Sequence, residues 1–100
     1  MVRRAARADA NQPAIVKEFR KCGCSVQHLH TVGQGCPDLI VGISGVNVLI
    51  EIKDGDKKPS DQKLTEDEAK WHEEWRGMKV EIVIFKEDVL PLVNRVRGCK

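Results

Sequence analysis

The chain has 100 residues, 41% of them hydrophobic and 32% charged, a balance too apolar for a disordered segment and sufficient for one core in a single domain spanning residues 1–100. No apolar run approaches the length of a membrane span, which argues against a membrane protein. A net charge of +2 does not by itself point to nucleic acid, and two Trp, two Phe and no Tyr argue against a base-stacking platform for single strands.

The first residues, MVRRAARADANQ, are basic but lack the apolar segment of a signal peptide, so the expected location is inside a cell. Cys22, Cys24, Cys36 and Cys99 are then expected as free thiols, because the Cys22/Cys24 pair has no second pair at zinc-binding spacing. The basic residues cluster. Arg3, Arg4 and Arg7 form an N-terminal arm, Lys57, Lys58 and Lys63 a loop, and Arg95, Arg97 and Lys100 a tail. Each cluster could neutralise phosphates, or could be an ordinary solvated surface.

A first helix is expected over residues 10–22, with Asp9 and Gln12 at capping-box spacing, Pro13 in the first turn and Gly23 as the stop. Residues 24–29 read as a short strand and 31–36 as a glycine-containing loop. Residues 38–43 and 46–53 are the clearest strands, joined across Ser44-Gly45. A polar loop over 54–63 leads to a second capping box, Thr65 with Glu68, and a helix ending near Gly77. Residues 80–85 form a further strand and 87–97 a last helix with Pro91 early in it or kinking it. The expected order is α-β-β-β-α-β-α, an α/β fold with a mixed sheet flanked by helices. Trp71 and Trp75, one turn apart, read as core in preference to an interface.

The chemistry concentrates in the central hairpin. If Ser44-Gly45 is a two-residue turn, Ile43 faces Val46 and Asp38 falls opposite Glu51; a three-residue loop would set Asp38 against Ile50 instead. Glu51 and Lys53, two apart, project from one face. Two carboxylates opposed between apolar strands repel, or one takes a proton. A Mg²⁺ or Mn²⁺ ion resolves the conflict, with Asp38, Glu51 and the Ile52 carbonyl as hard oxygen donors. Lys53 would then orient the attacking water or offset charge on the phosphate. The plainer alternative is a same-face Glu51–Lys53 ion pair, with Asp38 merely opening a strand. Gln12, Ile15, Val16 and Phe19 fall at i, i+3, i+4 and i+7, so Gln12 either points from a buried stripe toward the sheet or serves only as a cap. His28 and His30 share one strand face and have no evident acidic partner.

Pro37-Asp38 followed by Glu51-Ile52-Lys53 resembles the PD-(D/E)xK nuclease superfamily. The helix opening at Asn11-Gln12, the stretch from Gly33 to Gly42, and Val48-Leu49-Ile50-Glu51-Ile52-Lys53-Asp54-Gly55 narrow the resemblance to the VRR-NUC family in its small standalone phage and bacterial form. The segments 64–68 and 71–75 fit as well. The resemblance implies Asp38, Glu51 and the Ile52 carbonyl as metal ligands, Lys53 as the catalytic lysine and Gln12 as a further member of the site. Family members often carry Gln where this chain has Glu68, so capping is the one role that the sequence explains for Glu68. The resemblance also implies a Mg²⁺- or Mn²⁺-dependent endodeoxyribonuclease that acts as a homodimer on branched DNA, four-way junctions above all, in the cytoplasm of a bacterium or a phage-infected host. Alternatives from other classes are a non-catalytic DNA-binding module of the same fold, or the same chemistry on other DNA or RNA, as in a restriction-like enzyme or a toxin.

Overall fold

A computed structural model describes residues 9–98. Arg3, Arg4, Arg7, Cys99 and Lys100 lie outside the described residues. Helix α1 (Gln12–Lys21) has Pro13 in its first turn and buries Gln12, Ile15, Val16 and Phe19, the stripe expected from the 3.6-residue period. The expected Asp9–Gln12 capping box does not form. The N-cap is Asn11, with no side-chain cap bond. Its amide donates instead to the carbonyls of Lys53 (3.1 Å) and Ile84 (2.9 Å). A long-range tie thus takes the side chain that a local cap would have used.

Strands β1 (Ser25–His28), β2 (Leu39–Ile43), β3 (Val46–Ile52) and β4 (Glu81–Val83) form one sheet in the order β1-β2-β3-β4. The first two pairings are antiparallel and β3 with β4 is parallel. Ser44 and Gly45 both have left-handed φ, 49° and 88°, as a two-residue hairpin turn needs if its twist is to match the strands. The register follows: Ile43 pairs with Val46 and Leu39 with Ile50.

Helix α2 (Glu66–Glu74) opens on the Thr65–Glu68 capping box and ends before Gly77, with Trp75 already extended. Helix α3 (Val89–Gly98) follows a 3-10 turn at Lys86–Asp88, and Pro91 sits in its first turn, where no N–H partner is required. The helix and strand order is the expected one. Helices α1 and α3 pack on one face of the sheet. There Leu39, Val41, Ile43, Val48, Ile50, Ile52 and Val83 meet Ile15, Phe19, Val89 and Val93 in a dry core.

Helix α2 contributes no buried residue, which corrects the expectation that Trp71 and Trp75 are core. They stack on each other with centroids 4.6 Å apart, and Trp75 is 47% exposed. The side of α2 that meets the sheet is occupied by Glu68 and His72, which reach Lys53 and Glu51. The tail arginines are structural ties. Arg95 chelates Glu81 through two nitrogens at 2.9 and 3.2 Å, while Arg97 donates to the Cys22 carbonyl and to Ser44 Oγ.

Candidate active site

The β2–β3 ladder ends at Leu39–Ile50, and Asp38 does not continue it as the pairing arithmetic expected. Its N–H donates to the Ile50 carbonyl at 3.0 Å, so Asp38 and Leu39 both address Ile50, as residues of a β-bulge do. Bulges re-aim side chains beside functional sites. Here the bulge swings the Asp38 carboxylate across the strand end, where Oδ2 accepts the Ile52 N–H at 2.7 Å. The Asp38 carbonyl accepts from Leu29 N–H at 2.7 Å, which fixes the bulge from the other side.

Lys53 N–H bonds the Val83 carbonyl of β4. Main-chain groups alternate sides along a strand, so the Ile52 N–H and C=O point the opposite way, toward Asp38. The Glu51 carboxyl lies on the strand face turned from the core and is only 2% exposed; its Oε1 stands 3.3 Å from His72 Nε2. Lys53, 8% exposed, reaches Glu68 Oε1 at 2.6 Å. Glu68 Oε1 also accepts the Thr65 N–H at 2.9 Å. The glutamate that closes the helix cap therefore also holds the lysine.

The location of α2 depends on the loop before β2. Gly35 has φ +86°, and a Cβ there would collide with the Asp67 carbonyl oxygen. The absence of a side chain at this position lets the first turn of α2 settle over the loop and bring Glu68 and His72 to the site.

Burial, then the Asp38 charge and a hydrogen bond to Asp38, push the Glu51 carboxyl up to about 10. Burial also raises Asp38, against the pull of the Ile52 N–H and of Glu51. Two carboxyl groups thus share one proton at neutral pH. Burial works against the Lys53 charge, but the Glu68 hydrogen bond and the charges of Glu68 and Glu51 outweigh it, so its pKa is raised. Burial likewise opposes the Glu68 charge, yet Lys53 and the Thr65 N–H hold its pKa below the usual range. Burial lowers His72, leaving a neutral imidazole against Glu51.

A proton shared between buried carboxylates marks a site short of positive charge. Among the described residues no three His, Cys, Asp or Glu side chains form a metal-holding group. The available donors are instead two carboxylates and the Ile52 carbonyl, a hard, incomplete oxygen set of the kind that suits a partly hydrated Mg²⁺ or Mn²⁺. The residues fit the ion.

The structure brings together Asp38, Glu51, Ile52 and Lys53. No hydrogen bond joins Gln12 to them. Its Nε2 stands 3.1 Å from His28 Nδ1, while its buried Oε1 has no partner. Gln12 is nevertheless next in the chain to Asn11, whose amide grips the Lys53 carbonyl. Of the expected DNA-contacting lysines, Lys57 pairs with Asp9 at 3.4 Å, and Lys58 and Lys63 are exposed. Sequence reasoning missed His72 and Asn11. The i, i+4 spacing of Glu68 and His72, which puts both on one helix face, was the available signal for the first; nothing local marks the second.

A mixed sheet flanked by helices, with two carboxylates and a lysine gathered where β2 and β3 part, has the nuclease-type architecture that the Pro37-Asp38 and Glu51-Ile52-Lys53 pattern implied. Among solved structures the chain is similar to a VRR-NUC domain, at 30% sequence identity and a TM-score of 0.61, over 83% of this chain and 89% of that one. The chain belongs to the VRR-NUC family. Comparisons with family models and with curated proteins find no match.

Proposed function

We propose that the protein is a divalent-metal-dependent DNA endonuclease that cuts branched DNA, four-way junctions in particular, as a homodimer. The observation that carries this reading is the buried Asp38–Glu51 carboxyl pair beside Lys53, an arrangement that costs stability unless a cation joins it. Family membership supports nuclease chemistry. The dimer follows from symmetry, because one small site cuts one strand and resolving a junction needs two related cuts.

Asp38, Glu51 and the Ile52 carbonyl would hold Mg²⁺ or Mn²⁺. When bound, the ion supplies a compact double positive charge that offsets charge developing on the phosphate and acidifies water. The residues of the chain do the rest. Glu68 keeps Lys53 an ammonium and fixes its direction, so Lys53 donates hydrogen bonds to a phosphate oxygen or to the attacking water and does not serve as a base. His72, uncharged, steadies Glu51 without competing for the cation. The unpartnered Gln12 Oε1 is an acceptor free to orient the water. Hydrolysis then joins a water oxygen to phosphorus and breaks one P–O ester bond.

The test is a panel of labelled four-way junctions, flaps and plain duplex, incubated with the protein in Mg²⁺, Mn²⁺ or EDTA. Metal-dependent cutting that favours the junction, and is abolished by Asp38→Asn, is the expected result. No cutting in either metal, or cutting that survives Asp38→Asn, overturns the nuclease reading. Equal cutting of all substrates overturns only the junction preference.

A further inference from the structure

A groove of about 610 Å³ runs between α1 and the edge strand β1, lined by Gln12, Pro13, Val16, Lys17, Arg20, Lys21, His28 and His30. No carboxylate lines it. Lys17, Arg20 and Lys21 are exposed along it. Lys21 makes a long contact of 3.4 Å with Glu18, whereas Lys17 and Arg20 have no ion pair among the described residues. Some basic groups elsewhere are engaged, Lys57 with Asp9, Arg95 with Glu81 and Arg97 with the Cys22 carbonyl, whereas Lys58, Lys63, Arg76 and Lys79 are exposed without an ion pair among the described residues.

Two residues that line this groove each carry a buried polar atom without a partner, Gln12 Oε1 and His30 Nδ1, and Gln12 is itself 2% exposed. An unsatisfied buried polar atom is destabilising, so a residue such as His30 is favoured where a ligand supplies the missing bond. The Gln12 amide contacts His28 Nδ1 through Nε2.

Asp38, Glu51, Ile52 and Lys53 do not line the groove, but residues next to its Gln12 and His28 end tie it to them. Asn11, adjacent to Gln12, holds the Lys53 carbonyl. His28 pairs with Leu39, the residue after Asp38. From Gln12 to Lys21 the helix rises about 14 Å at 1.5 Å per residue, the rise of about four nucleotides of one B-form strand at 3.4 Å each. We propose that this groove is a DNA track: it takes the phosphate backbone of the strand leaving the active site, with Lys17 and Arg20 neutralising phosphates and His30 hydrogen-bonding to them. The assignment deepens the nuclease reading and rests on it for the direction of the strand. Contacts of this kind position the nucleic acid and read no sequence.

The test compares the full chain with two double variants, Lys17→Ala/Arg20→Ala and the charge-matched Arg76→Ala/Lys79→Ala in the loop between α2 and β4. Affinity for a labelled four-way junction is measured in EDTA over a range of salt, and single-turnover cutting is measured in Mn²⁺ at saturating protein. The groove variant is expected to bind roughly tenfold more weakly at 0.1 M salt and to lose about two units of log–log salt slope. Its cutting rate at saturation should match that of the unaltered chain, and the control variant should match in all respects. Unchanged affinity of the groove variant, or equal weakening of both variants, overturns the track while metal-dependent cutting still upholds the nuclease. Binding that the groove variant loses, with no cutting by any variant, upholds the track and sinks the nuclease reading. Conversion of a dimer to a monomer by Lys17→Ala/Arg20→Ala, seen in gel filtration, would assign the groove to a second copy of the chain and overturn the proposal.

Discussion

Ile50, Glu51 and Ile52 are consecutive and all buried, yet they serve two different regions. Ile50 and Ile52 point into the layer between the sheet and helices α1 and α3, where every neighbour is apolar. Glu51 points to the other face, where α2 brings His72 to within 3.3 Å and Asp38 lies within hydrogen-bonding reach. The first region is stable because nothing in it is charged. The second is buried and charged together, and it stays that way because the stable layer beneath holds the strands rigid. One strand therefore divides, residue by residue, into scaffold and chemistry.

The largest break in this division comes from the site. Asp38→Ala or Lys53→Ala should lower metal-dependent cutting on the order of 10³-fold, comparable to losing a group that stabilises transition-state charge. Asp38→Ala should melt no lower than the unaltered chain, whereas Lys53→Ala, which leaves Glu68 unpaired, should melt lower. Scanning cleavage and thermal unfolding side by side checks it. The mirror experiment is Phe19→Ala, on the apolar side. It should cost about 3–5 kcal/mol in urea unfolding and reduce activity only in proportion to the protein unfolded.

Glu51→Gln sharpens the contrast, because it should stabilise the metal-free protein while abolishing cutting. The gain comes from removing the cost of protonating a glutamate when it is buried, on the order of a few kcal/mol near neutral pH. The sign follows from the titration. A glutamate with an ordinary value of 4.5 is held at about 10 in the fold. Between those values the folded state keeps a proton that the unfolded chain has released. The contribution is fully present below about pH 4.5, falls as pH rises and is gone above about pH 10. Metal-free protein should accordingly melt at a higher temperature at pH 5 than at pH 8. Mg²⁺ or Mn²⁺ should narrow that gap, and Glu51→Gln should remove most of it. A melt that does not respond to pH in the metal-free protein would contradict the shared proton.

The smallest effect separates the two duties of Glu68. Thr65→Ala removes only the cap and should cost about 1 kcal/mol, with little change in the cutting rate of the folded fraction. Glu68→Gln keeps an acceptor for Thr65 N–H but leaves the buried Lys53 ammonium without its charge partner, so it should cost activity as well as stability. Denaturant midpoints set beside single-turnover rates distinguish the two.

Much of this was legible in the sequence where the governing interactions are local. Ser44-Gly45 specifies its turn through the tolerance of Gly45 for positive φ, and the turn sets the register from Ile43–Val46 to Leu39–Ile50. Thr65 and Glu68 cap their helix through bonds three residues apart. The Gln12, Ile15, Val16 and Phe19 stripe follows from helical period alone. Pairing arithmetic brought Asp38 near Glu51, but it assumed a regular ladder and could not foresee the bulge at Ile50. The Asp9–Gln12 box failed because Asn11 finds better acceptors 42 and 73 residues away. The tryptophan pair failed because helical spacing shows that two residues share a face, without showing which face meets the sheet.

By itself, then, the chain determined its strands, its turn, its caps and the identity of the acids and the lysine, since each is decided within a few residues by backbone sterics and short hydrogen bonds. Only the tertiary structure decided how α2 sits on the sheet. That placement depends on a glycine at position 35 that lets two backbones meet, and it makes Glu68 the partner of Lys53 and His72 the partner of Glu51. Contacts between distant segments are set by the packing of whole elements, which no local spacing encodes.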